Sequence, residues 1–386
     1  MTEVRNEAKI DVKAPRARKL LILTTSTGGG HNAAARAVAE AARVQGLTAE
    51  VRDCMAPVGE GFSRQVSRVY VSMVQRKPEM FGKVYRLGRS VSDWDKRRGM
   101  TSPVYLFNVG CSAALKRLLD AEKPDAVVCT HLYAGQMMTH LKRHGGFTGL
   151  TAFVMTDYTV VPFQEEVRCD RLYLSRPGLE SAYEGRTVEM RVFGIPVSPA
   201  CRVAREALMA EDVPEGSGVL LLGGSMGAGD LPQAVDALLP LMTSGSTLQV
   251  VCGSNETARN ELTARYAGEG RVNVLGQVDD MPRRMADACV VVSKAGGLTS
   301  SEVAAIGRPF VIWKPIEGCE TENARYFTSQ HMALWAKTAE ELHAQVAHLL
   351  RDEAARRNMV RHQRETVDGL AAQHIVEDLM KALEGA

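Results

Sequence analysis

No two of the eight cysteines in this 386-residue chain are close enough to form a C-x-x-C pair. Cys54, Cys111, Cys129, Cys169, Cys201, Cys252, Cys289 and Cys319 are scattered, several of them in apolar strand-like runs. A reduced thiol there behaves as a small hydrophobe, so neither a disulfide framework nor a zinc site is expected, and a reducing cytoplasm fits. No apolar run approaches the roughly 18–20 residues that cross a bilayer. Residues 1–19 lack the apolar stretch of a secretory signal and are expected to be a polar tail. The net charge is only +2, which argues against a nucleic-acid binder with a broad basic face. Fixed-period repeats and low-complexity tracts are also missing.

What remains is a globular composition, 45% hydrophobic and 24% charged, in a chain long enough to divide its core between two domains. Short β-branched runs alternate with helical stretches. Strands are expected at Leu20–Thr24, Ala126–Cys129, Thr151–Met155 and Arg171–Leu174, then at Gly218–Leu222, Leu248–Cys252, Val272–Leu275, Ala288–Ser293 and Pro309–Trp313. Continuous apolar strands separated by helices indicate parallel sheets covered on both faces, and two such series predict two doubly wound α/β domains. Phe193-Gly-Ile-Pro-Val-Ser-Pro-Ala200 is the natural boundary. It gives domains at 16–198 and 199–365, with a helix over 366–386 packing back.

Residues 62–100 break the alternation. They carry ten cations against Glu79, Asp93 and Asp95, interleaved with apolar and aromatic residues such as Tyr70, Phe81 and Tyr85. The pattern suits an anionic membrane surface; it equally suits a helix pair with a solvated basic face.

Three glycine-rich turns follow strands. Gly28-Gly-Gly-His31 opens an alanine-rich helix that Gly46 should stop. In the first turn His31 would be held neutral by the helix dipole, either as a general base or as a residue bonding the turn. Gly223-Gly-Ser-Met-Gly-Ala-Gly229 offers backbone amides and the Ser225 hydroxyl to a diphosphate, without the lysine of a P-loop. Lys294-Ala-Gly-Gly-Leu-Thr-Ser-Ser-Glu302 holds the spacing of a capping box, Thr299 to Glu302. Glu302 is alternatively a ribose ligand. Pro315 to Asn323 crowds Glu317, Glu320 and Glu322 into a loop suited to sugar hydroxyls or to solvent.

Taken in order, these segments resemble the family of monogalactosyldiacylglycerol synthases and processive diacylglycerol glycosyltransferases, and more distantly the transferase that adds N-acetylglucosamine to lipid II. The resemblance rests on GGGH, Thr156-Asp157-Tyr158, Gly194-Ile-Pro196, GGSMG, Gly276-Gln-Val-Asp-Asp-Met281, KAGGLTSSE with AIGRP, and Gly318-Cys-Glu-Thr-Glu-Asn323. It implies a GT-B fold, two Rossmann-like domains facing across a cleft. It also implies an inverting transfer from a UDP-hexose to a membrane lipid, without a cofactor or bound metal, on the cytoplasmic face of the membrane.

By that resemblance, Glu302 is the ribose ligand and the Val278 backbone the uracil contact. Gly224, Ser225 and Gly227, with Gly296, Gly297, Leu298 and Thr299, hold the diphosphate. Glu320 and Asn323 meet the donor sugar, His31 is the base, and Asp157 orients the acceptor or helps the base. It also favours residues 62–100 as the membrane-docking segment. Two positions depart from the family: Val161 stands where the plant lipid enzymes carry a histidine, and Cys319 where the sugar loop usually has glutamine. A UDP-N-acetylglucosamine 2-epimerase, or a non-catalytic UDP-sugar sensor at the membrane, would share much of this pattern.

Overall fold

The computed structural model describes residues 18–25, 29–59, 61, 85–91, 102–210 and 218–385. Gly28 and most of the basic stretch 62–100 therefore lie outside the described residues.

The described residues form two six-stranded sheets, parallel throughout. The first contains β1 (Lys19–Thr24), β2 (Thr48–Asp53), β3 (Ala126–Cys129), β4 (Leu150–Val154), β5 (Arg171–Leu174) and β6 (Glu189–Val192) in the order β2-β1-β3-β4-β5-β6. Its helices are α1 (Gly29–Val44), α2 (Pro103–Glu122) and α3 (Leu132–Arg143). After α4 (Pro199–Ala210) come β7 (Gly218–Leu222), α5 (Leu231–Leu238), β8 (Thr247–Val251), α6 (Glu256–Arg265) and β9 (Val272–Leu275). α7 (Met281–Asp287), β10 (Val290–Ser293), α8 (Gly297–Ile306), β11 (Phe310–Trp313), α9 (Cys319–Ser329) and β12 (Leu334–Ala336) complete a sheet ordered β12-β11-β10-β7-β8-β9. The chain closes with α10 (Ala339–Arg351), α11 (Glu353–Thr366) and α12 (Ala371–Glu384).

The apolar run of β1 shows why its residues do not alternate in polarity. Leu21 and Leu23 pack with Leu115 of α2 and Met137 of α3, whereas Leu20 and Ile22 pack with α1 and with Ile375 and Val376 of α12. Both faces are dry, so both sets must be apolar. The terminal helix thus completes the core of the first sheet. The alanines of α1 have a similar cause. Ala34 joins the core of the second sheet while Ala35, Ala37, Val38 and Ala42 join that of the first. Small side chains let one helix be buried on both sides.

Three strands, β2, β6 and β12, give no sequence signal of the kind that marks the other nine. All three are sheet edges with partly exposed residues, so no continuous apolar run is required of them. The helix at the third glycine turn also differs from expectation. α8 begins at Gly297 with Gly296 as its N-cap, and Ser300 N–H donates to Gly296 O at 2.9 Å. Thr299 and Glu302 lie inside the helix, so no capping box forms. The glycine pair carries the helix start two residues earlier than Thr299 because the first turn must fit against the opposite domain.

Candidate active site

Each sheet has one point where the strand order reverses, between β1 and β3 in the first and between β7 and β10 in the second. Chains leaving the carboxyl ends of such neighbours turn in opposite directions and open a crevice. At the first, Thr130 N–H donates to Leu23 O at 3.0 Å; at the second, Ser293 Oγ donates to Leu222 O at 3.1 Å. The two crevices face each other, and all three glycine-rich turns meet there.

On the first side, His31 lies in the opening turn of α1. Its Nδ1 is 2.8 Å from Thr130 O and 2.9 Å from Thr156 Oγ1. A carbonyl oxygen only accepts, so Nδ1 carries the proton and Nε2 the lone pair. Thr130 Oγ1 also donates to His31 O at 3.1 Å, and the His131 ring meets the His31 ring edge-on at 4.6 Å. Burial lowers the pKa of His31, and burial followed by His31 itself pushes His131 well down. Both imidazoles are neutral at pH 7. Thr130 and His131, just past β3, carry no glycine signature and are invisible in the sequence as parts of a site, whereas Thr156, past β4, is legible only within the Thr156-Asp157-Tyr158 segment of the resemblance.

On the second side, the loop after β7 turns through left-handed conformations at Gly224 (φ 68°) and Gly227 (φ 60°). A Cβ on Gly227 would strike the Cys252 carbonyl oxygen, and one on Gly224 would lie 2.8 Å from Lys294 Cε. Only glycine fits both demands. Lys294 was also missed by sequence reasoning. It is buried beneath Gly224 and Gly296 and ion-paired with Glu320. Glu320 accepts in addition from Ile316 N–H at 2.8 Å. A lysine in the turn itself was the only cation signal available, and this one arrives from the neighbouring strand. Gly224, Gly296 and the start of α8 therefore converge on one cation and one helix N-terminus, a site for an anion.

The domains touch through the same residues. Gly29 N–H donates to Ser225 Oγ at 3.2 Å, and a Cβ on Gly29 would lie 2.5 Å from Ser225 Cβ. The glycines beside His31 are thus occupied by the opposite loop rather than left open. Gly30 faces Leu298, and a Cβ on Gly297 would strike the Thr156 carbonyl oxygen. Asn323 is fully buried: Oδ1 accepts from Tyr158 N–H at 2.7 Å, and Nδ2 donates to Asp157 Oδ1 at 2.8 Å and Ala295 O at 3.0 Å. Tyr158 and Ser301 join hydroxyls at 2.7 Å.

Asp157 bonds Asn323, not His31, and burial raises its pKa to about 6. Thr299 is half-buried on the first turn of α8, and Val278 sits in the loop between β9 and α7, packed on the core of the second sheet. Glu302 accepts no hydrogen bond from any described residue, and burial, opposed by the Arg36 charge, raises its pKa to about 7.

Two facing Rossmann-like domains of this kind define the GT-B architecture. Residues 218–380 match the model of the glycosyltransferase family 28 C-terminal domain, and residues 31–197 match that of monogalactosyldiacylglycerol (MGDG) synthase. The chain belongs to this family of glycosyltransferases. It is 26% identical over 386 residues to the processive diacylglycerol beta-glucosyltransferase of Bacillus thuringiensis (strain Al Hakam), covering 94% of this chain and 93% of that protein. The fold is shared with MurG of Acinetobacter baumannii (TM-score 0.60, 17% identity, 94% of this chain and 99% of that one). It is shared equally with the UDP complex of S. aureus MnaA (TM-score 0.62, 12% identity, 95% and 97%). No described helix is long and apolar enough to cross a membrane.

Proposed function

We propose that the chain transfers a hexose, with inversion at the anomeric carbon, from a UDP-hexose to a hydroxyl of a diacylglycerol-type membrane lipid. The observation that carries this reading is the pairing across the cleft of a neutral, oriented histidine with a donor-rich anion site built from a glycine turn, a helix N-terminus and the Lys294–Glu320 pair. His31 Nε2 takes the proton of the acceptor hydroxyl while the acceptor oxygen bonds the anomeric carbon. The bond from that carbon to the β-phosphate oxygen breaks, and UDP leaves with the electron pair. Its charge is received by Lys294, the amides of the Gly224–Gly227 turn and the N-terminus of α8, without a metal ion.

Glu302 accepts from the ribose hydroxyls, the Val278 backbone meets uracil, and Glu320 and Asn323 frame the hexose. Asp157 holds Asn323 and the sugar loop in place. Residues 62–100 dock on the anionic cytoplasmic face of the membrane through their cations, Arg86 excepted because it pairs with Glu317. Holding both substrates in one closed cleft supplies much of the rate.

The test is incubation of the purified chain with UDP-glucose or UDP-galactose and diacylglycerol vesicles, with and without anionic lipid. A glycolipid seen by mass spectrometry should accompany UDP release, faster on anionic vesicles. Epimerised nucleotide sugar formed without lipid, or binding without UDP release, overturns the reading in favour of an epimerase or a sensor.

A further inference from the structure

Residues 85–91 are helical and touch both domains. On one side, a Cβ on Gly88 would lie 3.7 Å from the Phe163 ring and 3.9 Å from Pro162. On the other, the Tyr85 ring covers Gly318, where a Cβ would approach three ring carbons at 2.8–3.0 Å. Gly318 has φ 119°, so both the conformation and the contact demand glycine there. Arg86 pairs with Glu317 beside this contact, an exposed pair worth little by itself.

The Tyr85 hydroxyl is enclosed and has no hydrogen-bond partner among the described residues. Asp157, Cys319, Glu322 and Arg89 are the charged or titratable groups around it, and burial holds its proton on. A buried hydroxyl without a partner is costly, whereas one that a ligand hydroxyl can satisfy discriminates strongly. The neighbouring loop leads toward the anion site: Gly318 under the ring, Cys319 beside Asp157, then Glu320 on Lys294.

Resting on the transferase reading above, we infer that Tyr85 is a specificity-determining residue whose hydroxyl bonds a hydroxyl of the donor's hexose. It acts from the acceptor-binding domain, over the loop in which cysteine replaces the usual glutamine. The Cys319 thiol cannot offer the sugar an amide's paired hydrogen bonds, so the phenol supplies a bond the loop lacks.

The test uses calorimetric titration of the full chain with UDP, UDP-glucose and UDP-galactose, for wild type and Tyr85→Phe. Phenylalanine keeps the ring on Gly318, so the thermal midpoint should stay the same or rise. The Kd of the preferred UDP-hexose should rise about tenfold, with narrower discrimination between the two epimers, while the Kd of UDP is unchanged. Equal effects on UDP and UDP-hexose, no effect on either, or an effect confined to the KM of the lipid acceptor would overturn the inference. A Tyr85→Ala variant that behaves as Tyr85→Phe confirms that the hydroxyl, not the ring, carries the selectivity; an alanine effect with none from phenylalanine overturns it. If the wild-type chain binds no UDP-hexose, the transferase reading itself fails, and this one with it.

Discussion

The two crevices that face each other are built by the same topological device and filled with opposite chemistry. At β1/β3 two imidazoles touch, both neutral, and the nearest polar partners are Thr130 and Thr156. At β7/β10 a buried lysine paired with Glu320, three glycines and a helix N-terminus gather hydrogen-bond donors in one place. A strand reversal thus supplies a crevice and nothing more; the residues just past the strands decide whether it moves a proton or holds a phosphate. Transfer needs both, since an acceptor must lose a proton where a diphosphate gains charge.

The contrast is most sharply broken on the histidine side. His31→Ala should lower the transfer rate roughly 10²–10⁴-fold and leave the UDP Kd unchanged, because the base is lost but not the anion site. Near-wild-type transfer would remove His31 from the chemistry. In the wild type, a depressed imidazole pKa keeps the base active below its ordinary value. The acid limb of the rate profile should therefore fall below pH 6.5, near the region where Asp157 also titrates at about 6.

Next in size is Lys294→Met, which strands a buried Glu320 carboxylate. Chemical denaturation should show a loss of about 3–5 kcal/mol, and adding Glu320→Gln should recover part of it. Weaker UDP binding should persist in the double variant, separating the structural role of the pair from the cation's role toward phosphate. Unchanged UDP affinity in both variants would sink the assignment of Lys294 to the anion site.

The smallest effect should come from Glu302→Gln, about tenfold in UDP Kd by calorimetry. The free chain supplies an independent check. Because burial raises this carboxyl to about 7, its contribution to stability is full at pH values below the ordinary carboxyl range. It is then lost as pH rises toward and through about 7. Glutamine should flatten that slope, and a slope equal to wild type would place the titration elsewhere.

Eight of the nine legible strands lie inside their sheets and bury both faces, so they must be largely apolar, whereas β9 is an edge strand with no fully buried residue and was legible only through Val272, Val274 and Leu275. β2, β6 and β12 were not, because an edge strand with exposed residues needs no such run. In the site, the glycine turns and His31 could be found from spacing alone, since left-handed turns and helix starts have local causes. The capping box at Thr299–Glu302 had the right spacing and the wrong cause: Gly296 and Gly297 start the helix earlier. Lys294 was printed beside a glycine pair, yet nothing local says that its ammonium lies under Gly224, about seventy residues earlier in the chain.

By itself, then, the order of residues determined the two parallel-sheet domains and the turns that could meet a nucleotide sugar. Hydrophobic periodicity and glycine conformations act over a few residues and need no partner to be read. Only the tertiary structure decided which of those turns face one another, which proton His31 carries, and that Asn323 spans the cleft to Tyr158 and Asp157. Those are contacts between residues far apart in the chain, made by strand order and domain docking, and their strength depends on burial that no local stretch can report.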